Sequence, residues 1–136
     1  MPIIPFEFLI SRRSVSLQAK PKGLNEWKNF VRSEAEKFWK GDSPIKVSYL
    51  QLTLVYICSD DSPPDTDNII KPIQDALIGL VYEDDNLVLD VDSHRRFMSD
   101  PIDITNLPLL LREGAIIGEE CVYVKVSESQ PLEQYL

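Results

Sequence analysis

The sequence predicts an α+β domain in which a mixed sheet is covered by two helices, in the order strand, helix, strand, helix, strand, strand. Three observations predict it. Apolar residues pass twice from strand-like runs to three- and four-residue helical spacing. The elements so marked alternate at first and then end in consecutive strands, the pattern of a sheet with helices on one face. With 136 residues, 43% hydrophobic and 26% charged, the chain suits one globular domain that buries roughly two-thirds of its unfolded surface. That domain is expected over residues 1–127, with residues 128–136 as a loose polar tail.

Ile3 to Ile10 is apolar and β-prone, and Pro5 confines it to a sheet edge or delays its start. Residues 11–23, with Ser11, Arg12, Arg13, Lys20, Pro21, Lys22 and Gly23, read as a basic, mobile loop. A helix is expected from Asn25 to Lys40, with Asn25 as N-cap and Gly41 ending it. Trp27, Phe30, Val31, Ala35, Phe38 and Trp39 form its apolar stripe, which reads as core rather than a base-stacking platform. Ile45 to Cys58 is a long strand, rich in Val, Tyr, Thr, Leu and Ile. A Pro- and Asp-rich turn follows, then a helix from Asn68 to Leu80 with Ile69, Ile73, Ala76, Leu77 and Leu80 inward. Pro72, near its fourth position, is expected to remove one hydrogen bond or delay the regular helix. Glu83 to Asn86 turn the chain into a strand over Leu87–Met98. Residues 100–119 show only short apolar pieces broken by Pro101, Pro108, Gly114 and Gly118, and Cys121 to Val126 alternates as a last strand.

Composition excludes several classes. No apolar run approaches the ~18 residues of a membrane span. The basic residues near the start follow the apolar stretch, the reverse of a secretory signal. Cys58 and Cys121 are too few and too scattered for a disulfide framework or a zinc site, so buried, reduced thiols in a cytoplasmic protein are expected. The net charge of −8 argues against non-specific polyanion binding by the chain as a whole. It is unevenly spread. Residues 1–50 hold nine Lys/Arg against five Asp/Glu, and residues 51–136 hold five against seventeen. The first half can therefore draw phosphate and the second can hold cations. Alternatively the two are a basic helix face and an acidic solvated face.

The chemistry concentrates in Pro64-Asp65-Thr66-Asp67-Asn68-Ile69-Ile70-Lys71-Pro72-Ile73-Gln74-Asp75-Ala76-Leu77, followed by Glu83-Asp84-Asp85. If the segment is extended, Asp65 and Asp67 point to one face. Asp67, Lys71 and Asp75 recur at four-residue spacing, one polar stripe of a helix. The helix reverses the chain and can carry Asp84 and Asp85 back toward the first pair. Carboxylates ~5 Å apart repel by about 3 kcal/mol at an effective dielectric of ~20, and a bound Mg²⁺ reverses that sign. Mg²⁺ takes one or two carboxylates plus waters and phosphate oxygens, and such a site can ionise water and stabilise a scissile phosphate. Lys71 is spaced to meet a phosphate oxygen. Plainer roles fit the same residues: Asp65 or Asp67 as a helix cap, Asp67 with Lys71 as an i,i+4 ion pair, Asp84 and Asp85 as turn residues. An EF-hand does not fit, because Ile69 and Ile70 stand where that loop needs a ligand and Gly. There is no Gly-rich phosphate loop, and His94, the one histidine, gives a His-based triad little to draw on.

The run D-x-D-N-x-x-K-x-x-x-D-A-L, with D-D in the next turn, resembles the signature of the RusA-like Holliday junction resolvases. Here it reads Asp65-Thr-Asp67-Asn68-Ile-Ile-Lys71-Pro-Ile-Gln-Asp75-Ala76-Leu77, then Asp84-Asp85, with Asp90 five residues beyond. The resemblance covers about 27 residues. It implies a homodimeric endonuclease that binds four-way DNA junctions and makes paired, symmetric nicks with Mg²⁺, Mn²⁺ being a possible substitute. It also implies that Asp65, Asp67 and Asp85 hold the metal and that Lys71 is the site's lysine; Asp84 and Asp90 are then candidates for outer ligands or for groups that support the ligands. Arg12, Arg13, Lys20, Lys22, Lys28, Arg32, Arg95 and Arg96 are the candidates for DNA contact. A strongly acidic chain departs from a family that acts on DNA. A RusA-like module that binds branched DNA or a protein partner without catalysis is therefore the alternative.

Overall fold

The computed structural model describes residues 3–136. The first two residues of the expected 1–127 domain lie outside the described residues. The elements are β1 (Phe6–Ile10), α1 (Pro21–Glu36), β2 (Leu50–Cys58), α2 (Ile70–Ala76), β3 (Val88–Phe97), α3 (Leu109–Ile117) and β4 (Cys121–Glu128). The fold is α+β with one four-stranded mixed sheet in the order β1-β4-β2-β3. β4 runs antiparallel to both β1 and β2, while β2 and β3 are parallel. A parallel pair needs a long crossover, and the crossover here, residues 59–87, carries α2 and every carboxylate of the acidic motif.

Strand alternation sorts the core. Phe6, Phe8 and Ile10, Leu50, Leu52, Leu54, Tyr56 and Cys58, with Val122, Val124 and Val126, bury one sheet face under Trp27, Val31 and Ala35 of α1 and Ile69, Ile73, Ala76 and Leu77 of the α2 region. Two helices thus cover that face, as the sequence implies. The opposite face has a smaller cluster of Ile57, Cys121 and Tyr123 under Leu111 of α3. That third helix is a correction to the expected order. Gly114 permits it, because a Cβ there would meet Cys121 Sγ at 3.0 Å and Leu9 Cδ2 at 3.1 Å.

Boundaries also shift. α1 starts at Pro21, not Asn25, because Pro is pre-set for the first helical turn. It ends at Glu36, so Phe38 and Trp39 lie beyond the helix. β2 begins at Leu50. Ile45 makes only an isolated bridge to Tyr82. Pro72 is the third residue of α2, where its missing N–H is one a helix leaves unpaired anyway, so the expected lost bond does not arise. β1 is an edge strand starting after Pro5, as expected. Residues 128–136 are not a loose tail. Ser129 N–H donates to the Tyr49 carbonyl at 3.0 Å, and Tyr135 Oη donates to Gln51 Oε1 at 2.6 Å. Both thiols are buried and unpaired, and burial pushes Cys121 up to about 11. Among the described residues no helix is long and apolar enough to cross a membrane.

Candidate active site

The site is built on the β2–α2–β3 crossover. The segment leaving β2 is pinned from outside. Glu120 Oε1 accepts from Ser59 N (2.9 Å), Ser59 Oγ (3.1 Å), Tyr56 Oη (3.3 Å) and Arg13 Nη1 (3.4 Å). Burial, and then Glu120, push the Tyr56 phenol up, so it stays a protonated donor. Arg13 Nη2 donates to the Asp61 and Ser62 carbonyls at 2.6 and 2.9 Å. The chain then turns rather than extends: Asn68 N–H closes onto the Asp65 carbonyl at 3.0 Å. The two-residue spacing of Asp65 and Asp67 therefore does not put them on one strand face. The basic loop before α1 is not mobile at this point, since Leu17 N–H donates to the Asn68 carbonyl at 2.9 Å.

Asp65 is exposed and pairs with Arg95, whose Nη1 also donates to the Pro64 carbonyl at 3.0 Å. Arg95 lies over the Phe97 ring, 5.3 Å from its centroid. Ser93 Oγ donates to the Thr66 carbonyl at 2.9 Å, fixing the same turn to β3. Asp67 is exposed at the mouth of α2. Neither aspartate caps that helix, whose N-cap residue is Ile69 without a side-chain cap.

Lys71 is the centre of a charged cluster. Its Nζ is 2.9 Å from Asp75 Oδ1 and 3.0 Å from Asp85 Oδ2. Asp75 also faces Lys28 Nζ at 3.5 Å. Its hydrogen bond to Asp75, then that to Asp85, holds the Lys71 ammonium above its ordinary pKa. Lys71 in turn holds the Asp85 carboxyl below the usual carboxylate range. Asp84 is a turn residue whose Oδ1 accepts from Asn86 N–H at 3.1 Å. The approach to this turn is tied down by Gly79, at φ +83°, whose N–H donates to the Tyr82 carbonyl at 2.7 Å, and by Glu83 N–H on the Ile45 carbonyl at 2.9 Å. Arg32 Nη1 fastens the Ile78 carbonyl to α1 at 2.7 Å.

The structure thus joins Lys71 to Asp85 and keeps Asp65 apart. Among the described residues no three acidic, His or Cys side chains converge as a ready metal-binding group. The donor chemistry nonetheless suits Mg²⁺. The candidates are all carboxylate oxygens open to solvent, and that ion takes one or two of them with waters and phosphate. The ion pair that holds exposed Asp65 is worth about 1 kcal/mol or less, a small barrier to regrouping.

Asp90 is not part of this cluster. It pairs with Gln51 beyond a bulge and accepts from Ser129 Oγ, on the face turned from α1 and α2. Arg96 shares that face and lines a cavity of about 370 Å³ with His94, Asp100 and Asp103. Of the other basic candidates, Arg13, Arg32, Lys28 and Arg95 hold protein groups, and Arg12 lies over Phe30 at 4.2 Å. Lys20 and Lys22 are exposed at the start of α1. Glu120 leaves no local signal in the sequence, because its partners lie 61 to 107 residues away. Asp75 is legible only as part of a stripe, although the i,i+4 spacing to Lys71 marks the pair.

The endodeoxyribonuclease RusA family model matches residues 10–105. That span contains β2, α2, β3 and every residue of the Lys71 cluster and the Asp65–Arg95 pair. No curated protein matches the chain.

Proposed function

Because the chain belongs to the RusA endodeoxyribonuclease family, we propose that it is a structure-selective endonuclease that resolves four-way DNA junctions by paired, symmetric nicks, acting as a homodimer with Mg²⁺. The observation that carries the reading is the Lys71 ammonium held between Asp75 and Asp85 at the start of α2, within the matched segment. An ammonium has three donors. Two are engaged by carboxylates, and the third is free for a phosphate oxygen.

Asp67 and Asp85, with Asp65 drawn from Arg95, are the residues that would hold Mg²⁺, Mn²⁺ being a substitute. When bound, the ion supplies an ionised water and charge stabilisation at the phosphate. The chain's own groups do the rest. Asp75 and Asp85 fix the lysine head by charge-assisted hydrogen bonds. Lys71 offsets charge that builds on the phosphate. Arg95 and Ser93 hold the Asp65–Asn68 turn against β3, so the carboxylates sit on a rigid sheet edge.

The test is cleavage of a labelled synthetic four-way junction beside a linear duplex, with Mg²⁺, for wild type and Asp67→Asn. Paired nicks in the junction alone, lost to background in a variant whose circular dichroism is unchanged, are expected. Undiminished cleavage by Asp67→Asn would refute the site assignment. The net charge of −8 favours one second reading, a module that binds branched DNA or a protein partner without cutting. No cleavage by either protein, over a range of salt and of both metals, would select it.

A further inference from the structure

β3 is the end strand of the sheet, and its outer side is open. Met98 N–H donates to the Cys58 carbonyl at 2.8 Å, and the Arg96 carbonyl accepts from Cys58 Sγ at 3.5 Å. The even-numbered residues therefore turn their main-chain groups toward β2. Alternate residues point the other way, so those of Val91, Ser93 and Arg95 point outward. Among the described residues no main-chain group pairs with them, and the one contact on that side is Arg96 Nη1 on the Arg95 carbonyl. An open edge of ten residues is a template for another strand unless something blocks it.

Charge alone blocks an edge best when it is of one sign. Here the strand reads Asp90-Val91-Asp92-Ser93-His94-Arg95-Arg96, acidic on one side of Ser93 and basic on the other. Such a strand is complementary to itself run backwards. We propose that β3 pairs antiparallel with β3 of a second copy of this chain, with Ser93 on the two-fold axis. Ser93 then faces the partner's Ser93, and Val91 faces the partner's Arg95. These are the residues whose N–H and C=O groups point outward, so they form the hydrogen-bonded pairs. Asp92 faces the partner's His94, and Asp90 faces the partner's Arg96. Both fall at non-hydrogen-bonded positions, where Cα atoms come within about 4.5 Å and side chains interact most closely. All four share one sheet face. Asp90 and Asp92 already accept from Ser129 and Gln51 through Oδ2, and a carboxylate has further acceptor sites on its other oxygen. Moving the axis to residue 92 would set Asp92 against Asp92, and moving it to residue 94 would leave Asp90 opposite Met98, so only the Ser93 register sets both aspartates against basic residues.

This inference rests on the dimeric reading above and supplies its surface. Arg95, which holds Asp65, lies two residues from the axis. The two Asp65-binding arginines of a dimer would then have Cα atoms about 15 Å apart, at ~3.4 Å per residue along the strands and ~5 Å between them. Two cutting centres would lie side by side on one continuous sheet.

The test is analytical ultracentrifugation of wild type, Asp90→Arg, Arg96→Asp and the double charge swap, at protein concentrations around ~10 µM, with circular dichroism as a check on folding. Wild type is expected to be dimeric. Each single reversal should weaken the dimer about tenfold or more, and the double swap should restore it to within about threefold. Val91→Pro removes an outward N–H that β2 does not use, a change an edge strand tolerates, and it too should weaken the dimer. A monomeric wild type, single reversals as dimeric as wild type, or a double swap as weak as the singles would each overturn the proposal. Junction cleavage, measured separately, tells the two failures apart. Cutting by a protein that does not pair through β3 refutes this interface alone. A β3-dependent dimer that never cuts bears out the interface and refutes the reaction.

Discussion

Glu120→Ala removes the acceptor that ties the chain leaving β2 to the start of β4. One carboxylate oxygen receives Ser59 N at 2.9 Å, with Ser59 Oγ, Tyr56 Oη and Arg13 Nη1 at 3.1 to 3.4 Å. A single oxygen accepts two such bonds well, so the four are not additive. Hydrogen bonds to a charged group contribute about 1.5–3 kcal/mol each, which sets a gross loss near ~4 kcal/mol. The Glu120 side chain is 18% exposed, and water reaching the vacated position recovers part of that. A net loss of about 2 kcal/mol follows, or roughly 6–10 °C in Tm for a chain of this size. Glu120→Gln keeps an acceptor for Ser59 N–H and loses only the charge, so its loss should stay near ~1 kcal/mol.

Thermal unfolding followed by circular dichroism measures both variants. Junction cleavage well below the melting range measures what reaches the site. The pinned segment runs directly into Asp65, so cleavage by Glu120→Ala should fall several-fold while Glu120→Gln stays close to wild type. A Glu120→Ala protein that melts within about 2 °C of wild type would refute the reasoning. So would a Glu120→Gln protein as damaged as Glu120→Ala, since Gln keeps the acceptor oxygen and gives up only the charge-assisted part.

Two further outcomes are expected. Asp85 is held below its ordinary pKa, so its contribution is present above the ordinary carboxylate value of about 3.9 and lost as pH falls through the lower folded value. Lys71 is raised, so its share is present below about 10.4 and lost as pH rises through the higher folded value. The stability difference between wild type and Lys71→Met should therefore be flat from about pH 5 to 9 and shrink below about pH 4, as denaturant titrations across pH would show. Gly114→Ala gains about 1 kcal/mol of helix propensity but presses a Cβ against buried Cys121 and Leu9. Overpacking costs about 1–3 kcal/mol, so Tm should fall by about 3 °C. A rise would mean that the α3 contact yields easily.

Much of the fold is legible because burial is periodic. The β-prone apolar runs of β2 and β4 and the Trp27–Val31–Ala35 spacing fix two strands and a helix, although β4 buries Cys121 and Tyr123 on its second face as well. α3 is not legible. Pro108 and Gly118 bound it, and Gly114 sits inside it, so local propensity argues against a helix that packing onto Leu9 and Cys121 makes. Pro21 misleads in the opposite sense: inside a basic loop it reads as a breaker, and it is the first helical residue. In the site, the four-residue spacing of Lys71 and Asp75 survives intact because a helix carries it. The two-residue spacing of Asp65 and Asp67 does not, because a turn replaces the assumed strand. Asp90 looks like a member of the acidic run, yet a bulge at the start of β3 and strand alternation put it on the far face. Arg95 is legible as a cation but not as the partner of Asp65, a pairing across 30 residues.

The charge asymmetry along the chain is largely internal. The N-terminal half carries the cations, and several of them hold the acidic crossover in place. Arg13 grips the Asp61 and Ser62 carbonyls before the site, Lys28 meets Asp75 in its middle, and Arg32 grips the Ile78 carbonyl after it. These residues fix where the carboxylates stand, so their removal would disturb the site before it weakened any DNA contact. Arg12, Lys20 and Lys22 make no such clamp. They belong to the loop and first turn that reach the site through Leu17 on Asn68. An exposed charge acts over roughly 10 Å in ordinary salt, so a phosphate at Lys71 would meet the carboxylates of Asp75 and Asp85 beside it before the −8 of the whole chain, and a bound Mg²⁺ would offset them. On the proposed dimeric reading, selectivity would come from the shape that brings two backbones to two sites rather than from general affinity for polyanions.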